Sequence, residues 1–304
     1  MRRATSWVLA LLVLVSLAGL PACTAEGGDR AGGSDAEATA GAAGSVPEGV
    51  PRDTSYAAIG DSARYWARRL LTSLGGPEAW QETRFLRFRW IVGTGEEATG
   101  RSHAWDRHTG RYRLEYDRDD GSRVVALFNV NRIRADSLSS AGHVWVDGEP
   151  LEGAERDSAL TDAYGAFIND SYWLLHPLKY FDPGVHLDWA GRTELSDGRS
   201  YPTVHLTFES DLGVTNDQYW GFIDPETGRL HAWQYHLQGR EQKGDVIRWE
   251  GWQRVGDVRL APRRVWPDGA VNIHFEDLAA ADTVPSGVFS RDGASAPGPP
   301  GASN

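Results

Sequence analysis

Alternation of apolar and polar residues dominates the chain from residue 85 onward. In FLRFRWIV, residues 85–92, Leu86, Phe88, Trp90 and Val92 share one parity while Arg87 and Arg89 take the other. Period two with a single apolar side marks a half-buried strand. The stretch from Gly93 to Gly100 predicts a loop to a second strand around His103–Trp105. Asp106 to Gly110 then turns the chain into 111–116, where Tyr112, Leu114 and Tyr116 alternate with Arg111, Arg113 and Glu115. Segments 123–130 and 143–146 read as further strands, the latter ending at the strong turn signal Asp147-Gly148. The same rhythm returns at 185–189, 201–209, 217–224, 230–237, 245–254, 258–265 and 271–275, with Pro225-Glu226-Thr227-Gly228 as the clearest hairpin turn.

Two stretches change period. After Asp61, a residue type suited to capping, Trp66, Leu70, Leu71 and Leu74 recur at helical spacing, with Arg64, Arg68 and Arg69 largely on the wet side. Gly75-Gly76-Pro77 stops that helix, and Glu78 to Trp80 adds a short turn. Over 155–175, Leu160, Tyr164, Phe167, Ile168, Trp173, Leu174 and Leu175 recur at three and four residues; Pro177 and Asp182-Pro183-Gly184 close the stretch. Strands joined by hairpins, broken halfway by a helix, predict a mainly β protein with a helical insert. The expected architecture is a single curved antiparallel sheet, an unclosed half-barrel, with helices on its concave face.

The amino terminus changes the picture. Arg2 and Arg3 precede an almost unbroken apolar run from Trp7 to Leu20, too short to span a membrane as a helix and laid out as a secretory signal peptide. Leu20-Pro21-Ala22-Cys23 resembles the bacterial lipobox. That resemblance implies cleavage before Cys23, diacylation of its sulfur and a further acyl chain on the freed amine. Thr24 in place of Asp implies, by the enteric sorting rule, an outer-membrane destination facing the periplasm. Residues 23–52 hold Gly, Ala, Ser, Asp and Glu without an aromatic ring and read as a lipidated flexible tether; 291–304 read as a disordered tail. The domain expected between them spans 53–290.

Cys23 is the chain's one cysteine, so the fold is expected to rest on core burial rather than disulfides. The net charge is −11, and removal of Arg2 and Arg3 with the leader leaves 29 basic against 42 acidic residues, a net −13. Such an acidic chain has no electrostatic case for nucleic acid or for anionic lipid head groups. Its 13 tryptophans require either a very aromatic core or an apolar binding surface.

Three stretches, LLTSLGGPEAWQETRFLRFRW, FINDSYWLLHPLKYFDPGV and YWGFIDPETGRLHAWQYHLQG, resemble the lipoprotein-carrier-like families related to LolA and LolB, over roughly residues 60–290. The resemblance implies an unclosed barrel of about eleven strands, a helical lid and a cavity for acyl chains, with no chemistry done. Expected ligand-facing rings are Phe88, Trp90, Trp105, Tyr112 and Trp145 in the first half and Tyr172 and Trp173 on the helix. Phe208, Trp220, Trp233, Tyr235 and Trp249 follow in the second half. The expected ligand is a lipid or acylated protein, the expected attachment is to membrane through acyl chains, and the expected state is a monomer. A carbohydrate- or protein-binding module with a solid aromatic core is the alternative.

Enzymatic signatures are missing from the chain: no G-x-S-x-G occurs, and 42 carboxylates make chance pairs inevitable, so no catalytic residue and no cofactor are expected. Nine histidines invite a metal, with His176 and His186 flanking the 182–184 turn and His205, His231 and His236 on neighbouring strands. No H-x-x-x-H, H-E-x-x-H or C-x-x-C spacing supports one, so no metal site is expected. Asn169-Asp170 reads as a pair that caps the backbone where its helix ends, or that offers a carboxylate to a ligand head group. Lys179 is a possible partner for Asp170.

Overall fold

The computed structural model describes residues 62–95, 98–133, 138–209 and 217–293, and these fall within one compact unit. Asp61, Cys23 and the leader and tether lie outside the described residues. Helices α1 (Ser62–Ser73) and α2 (Gly76–Glu82) lead into β1 (Phe85–Val92), β2 (Thr99–Asp106), β3 (Arg111–Asp117) and β4 (Arg123–Asn129). A short helix α3 (Leu138–Ala141), β5 (Gly142–Val146) and β6 (Glu149–Pro150) precede the long helix α4 (Gly153–Leu175). The second half holds β7 (Val185–Glu194), β8 (Ser200–Phe208), β9 (Gln218–Ile223), β10 (Leu230–His236), β11 (Ile247–Glu250), β12 (Gln253–Val255), β13 (Val258–Leu260), β14 (Arg263–Val265) and β15 (Val271–Ala281).

Among the described residues thirteen strands form one sheet in the order β6-β5-β4-β3-β2-β1-β15-β14-β11-β10-β9-β8-β7, with β12 and β13 as a separate hairpin. Every pairing is antiparallel, and β1 against β15 joins the two halves. The sheet does not close: β6 and β7 are its two ends. This is the curved, unclosed antiparallel sheet with a helical insert that the alternation predicts.

The strands expected at 245–254 and 258–265 are each broken in two. Gly251 takes a left-handed φ of 78° after β11, and Pro262, which has no amide hydrogen for a ladder, separates β13 from β14. The fragments between the breaks leave the main sheet and pair with each other.

Inner and outer faces follow strand parity. Rows such as Leu86–Trp105–Tyr112–Phe128 and Phe88–His103–Leu114–Ala126 run across β1 to β4 on the inner side. Helix α4 covers both halves: Leu160 and Ala163 pack on Tyr112, Leu114, Val124 and Val144, while Leu174 and Leu175 join a larger cluster with Leu86, Leu206 and Trp233. Ala63, Ala67 and Leu70, at turn spacing, bury α1 in that same cluster, and Leu74 just beyond its end joins them. Full burial contributes roughly 2 kcal/mol for each of the two leucines. Trp66 and Leu71 only flank this buried line. Arg69 Nη2 donates to Pro225 O at 2.6 Å and Ser73 Oγ to Gly228 O at 3.2 Å, tying α1 to the expected 225–228 hairpin turn.

The outer face carries small apolar clusters of its own. Val288 packs on Phe85 and Ala104, and Arg113 Nη1 donates to Ser290 O at 2.6 Å, so the segment after β15 packs back on the sheet. Among the described residues no helix is long and apolar enough to cross a membrane.

Candidate functional site

The inner face carries ionised and polar groups at positions whose parity is that of the core. On β2, Arg101, His103 and Trp105 share the inner side, and α4 turns Asp170 toward them. Arg101 meets Asp170 with two hydrogen bonds, Nε to Oδ2 at 2.7 Å and Nη2 to Oδ1 at 2.8 Å. His103 Nε2 lies 3.1 Å from Asp170 Oδ2, and its Nδ1 lies 2.8 Å from the Tyr112 hydroxyl. Asp170, His103 and Tyr112 are fully buried, while about a third of Arg101 reaches solvent. Burial would raise the Asp170 carboxyl, but hydrogen bonds from His103 and Arg101 outweigh it and hold the group below the usual carboxylate range. Burial pushes His103 below its ordinary value, so the imidazole is neutral near pH 7. An anionic Asp170 beside Nε2 favours the tautomer that carries its proton there; Nδ1 is then the acceptor, and Tyr112 donates to it. Phe88 stacks on the imidazole at 4.5 Å, and the Arg101 guanidinium lies 4.3 Å from the Trp90 ring centre.

This arrangement differs from the expected cap. Helix α4 continues past Asp170 to Leu175, so the carboxylate pairs across to the sheet and does not close the helix end. Asn169 Nδ2 donates to Asp170 Oδ1 at 2.8 Å. Lys179 pairs with Asp182 at 2.5 Å, not with Asp170. The available signal was a polar residue at core parity: Arg101 and His103 interrupt an apolar row, and Asp170 follows Ala163 by two turns.

Beyond the helix end, His176 is fully buried in a box of rings: Trp233 at 4.8 Å, Tyr172 and Tyr180 at 5.2 Å, Tyr219 at 5.4 Å and Trp249 at 6.1 Å. Neither imidazole nitrogen has a hydrogen-bond partner, nor do the Tyr180 hydroxyl or the indole nitrogens of Trp233 and Trp249. The Tyr180 hydroxyl presses on β9, where a Cβ at Gly221 would stand 1.9 Å from it. Only a glycine leaves that space. Arg264 on β14, also fully buried, lies 3.3 Å from the Trp249 ring centre and donates to Trp173 O, to Ala261 O at 2.8 Å and to Arg263 O at 3.1 Å. It satisfies an orphan carbonyl in the last turn of α4, where a cation also suits the helix dipole. Sequence reasoning passed over both Arg264 and the His176 box.

Burial, with the charges of Arg264 and Lys179 adding, pushes His176 well below its ordinary 6.5. Below pH 6.5 the unfolded chain therefore binds protons that the folded His103 and His176 refuse, and stability falls as the pH falls. The limiting slope is about 1.4 kcal/mol per pH unit for each histidine. Urea midpoints measured from pH 7.5 to 5 should show this, and His176→Phe should lose roughly one proton of the dependence. An unchanged slope would mean that His176 is not held neutral.

The expected ligand-facing rings divide. Phe88, Trp90, Tyr112, Trp233 and Trp249 lie on the inner face and are buried by protein atoms. Trp105, Tyr172, Trp173, Phe208 and Tyr235 are half-buried against the inner clusters. Trp145 and Trp220 do not join them. On β5 Val144 points inward, so Trp145 points outward beside His143; on β9 Tyr219 and Gly221 point inward, so Trp220 points outward. Trp220 instead joins Tyr201, Phe222 and Ala232 in a small outer cluster, stacked on His205 at 4.6 Å with Lys243 Nζ 3.5 Å from its ring centre. An inner glycine between two large rings hid the true parity.

At one rim, Trp173 stands 6.0 Å from Tyr235 and stacks on Trp266 at 6.1 Å. Beside it an open groove of about 460 Å³ is lined by Tyr235, Leu237, Gly239, Arg240, Glu241, Gln242 and Gly244. The histidines weighed as metal ligands are spread out: His231 Nε2 lies 3.7 Å from Asp197, and His236 Nε2 lies 2.7 Å from Arg240 O. Among the described residues no cluster of three His, Cys, Asp or Glu could share a metal ion.

No family model and no curated protein matches the chain. Among solved structures, a DUF1329 family protein from Desulfovibrio piger is similar over 76% of this chain and 98% of its own, at 10% identity and a TM-score of 0.39. MucB in complex with MucA(peri) is similar over 74% of this chain and 57% of its own, at 12% identity and a TM-score of 0.19.

Proposed function

We propose that the protein binds an apolar ligand, a lipid or the acyl chains of a lipoprotein, on the concave face of its unclosed sheet. It does no chemistry on that ligand. In this reading the lipobox-like Cys23 carries acyl chains that hold the protein, as a monomer, on the outer membrane facing the periplasm. The observation that carries the reading is the half-buried aromatic rim of Trp173, Tyr235 and Trp266, of which Tyr235 lines an open groove, on a sheet that the described strands leave unclosed. Helix α4 acts as a fixed plug, held to β2 through Asp170 and to β14 through Arg264. Ligand then enters past the rim. Each methylene buried there contributes about 0.8 kcal/mol. The sugar-binding alternative needs free ring faces, and on the outer side Trp220 and Tyr201 already stack on His205 and His231.

Native mass spectrometry of the protein taken from its own host without detergent should show co-purifying lipid. Uptake of a fluorescent fatty acid should fall in Trp173→Ala and Tyr235→Ala and persist in Trp220→Ala. Equal loss in all three would sink the concave-face reading. Continued detergent-only extraction of Cys23→Ala would separately remove the lipid anchor.

A further inference from the structure

A second groove lies on the outer face, away from the aromatic rim. It measures about 560 Å³ and is lined by Arg84, Arg111 and the segment 283–290. Small-molecule sites occupy roughly 300–1,000 Å³. The lining holds two guanidiniums and the hydroxyls of Thr283, Ser286 and Ser290, and no carboxylate. Behind it, Asp106 has no exposed side-chain surface and receives Arg84 Nε and Nη2 at 3.1 Å each and Arg111 Nη2 at 2.9 Å. Burial would raise Asp106, but bonds from Arg84, Arg111 and Thr109 drive its carboxyl far below the usual range, so it stays charged. One carboxylate thus orients two cations and leaves a net positive charge in the groove. The Arg111 guanidinium also lies 4.8 Å from the Phe289 ring centre, which fixes it further.

We propose that this groove binds the phosphate group of a small phosphate ester. Asp106 already occupies the planar Nε/Nη2 edge of Arg84, the edge that best suits a carboxylate. What remains is the Nη1 side of Arg84, just before β1, and most of the Arg111 fork at the start of β3. A tetrahedral dianion accepts from several directions and fits such donors better than a second planar carboxylate. The hydroxyl-bearing 283–290 segment gives room for whatever the phosphate is attached to. The same chemistry could come from a soluble metabolite or from a phospholipid head group.

The test is calorimetric titration of the full-length protein with inorganic phosphate, glycerol 3-phosphate and a soluble short-chain phosphatidate, each against chloride at matched ionic strength. Saturable binding should weaken about tenfold or more in Arg84→Gln and in Arg111→Gln. It should persist in Arg84→Lys and in Arg192→Gln on β7, the end strand of the other half of the sheet. Each single variant leaves one guanidinium on Asp106, and an unchanged melting temperature confirms the fold. Similar affinity for glycerol 3-phosphate and phosphatidate identifies a soluble ester; much tighter phosphatidate binding identifies a lipid head group. No saturable binding of any probe, or binding indifferent to both glutamine variants, overturns the proposal. Neither result bears on the fatty-acid test of the concave face.

Discussion

Asp170→Asn is expected to destabilise the protein by about 3 kcal/mol, the lower end of what breaking a buried ion pair costs. The substitution keeps the side chain's shape and opens no cavity, so the loss is electrostatic. Asparagine leaves Arg101 without a counter-charge, and its amide would face either the Arg101 donors or the His103 Nε2 proton. The lower end applies because Arg101 is 31% exposed and can recover some hydration, whereas Asp170 and His103 are at 0%. Urea unfolding of Asp170→Asn, Arg101→Gln and the double variant measures it, and the double should cost clearly less than the sum. A loss below about 1 kcal/mol would put the contact in the class of exposed salt bridges and remove the clamp on α4.

Arg264→Ala is expected to cost about 3–5 kcal/mol, as cavity formation adds to carbonyls left without donors. Arg264→Met separates the contributions, since methionine refills most of the volume and donates nothing. The buried guanidinium bonds only to backbone carbonyls and to no carboxylate, so its desolvation is opposed by hydrogen bonds, the Trp249 face and the end of α4. If the alanine variant is strongly destabilised and the methionine variant nearly wild type, packing is the main role. If both lose stability alike, the donors hold the helix end. Wild-type stability in both would exclude any structural role for Arg264. Burial pulls its pKa well down, yet arginine remains protonated at any physiological pH, so neither result should depend on pH between 7.5 and 9, above the range where His176 takes up protons in the unfolded chain.

Much of the architecture was legible from local pattern. Alternation in FLRFRWIV assigned Phe88 and Trp90 to one face and Arg87 and Arg89 to the other. The change to helical spacing placed α4 within two residues of its start, and Pro225 to Gly228 formed the expected hairpin. These features are local because backbone geometry couples neighbouring residues at a fixed period, two for a strand and 3.6 for a helix. A curved antiparallel sheet follows once hairpins are strung together.

Tertiary structure decided what distant residues do to each other. Asp170 reads as a helix-end residue until α4 is laid on β2, 69 positions earlier in the chain. Trp220 reads as a core ring until Tyr180 claims the space over Gly221 and shows that the glycine, not the tryptophan, faces inward. Arg264 sits in a basic pair with Arg263 that looks solvated, and only the close of the sheet onto α4 turns it into a buried donor for Trp173. Asp106 looks like a turn residue until Arg84, Arg111 and the 283–290 segment converge on it. Alternation states which side of its own strand a residue takes, whereas charge pairing and burial depend on contacts that only the folded sheet brings within a few ångströms.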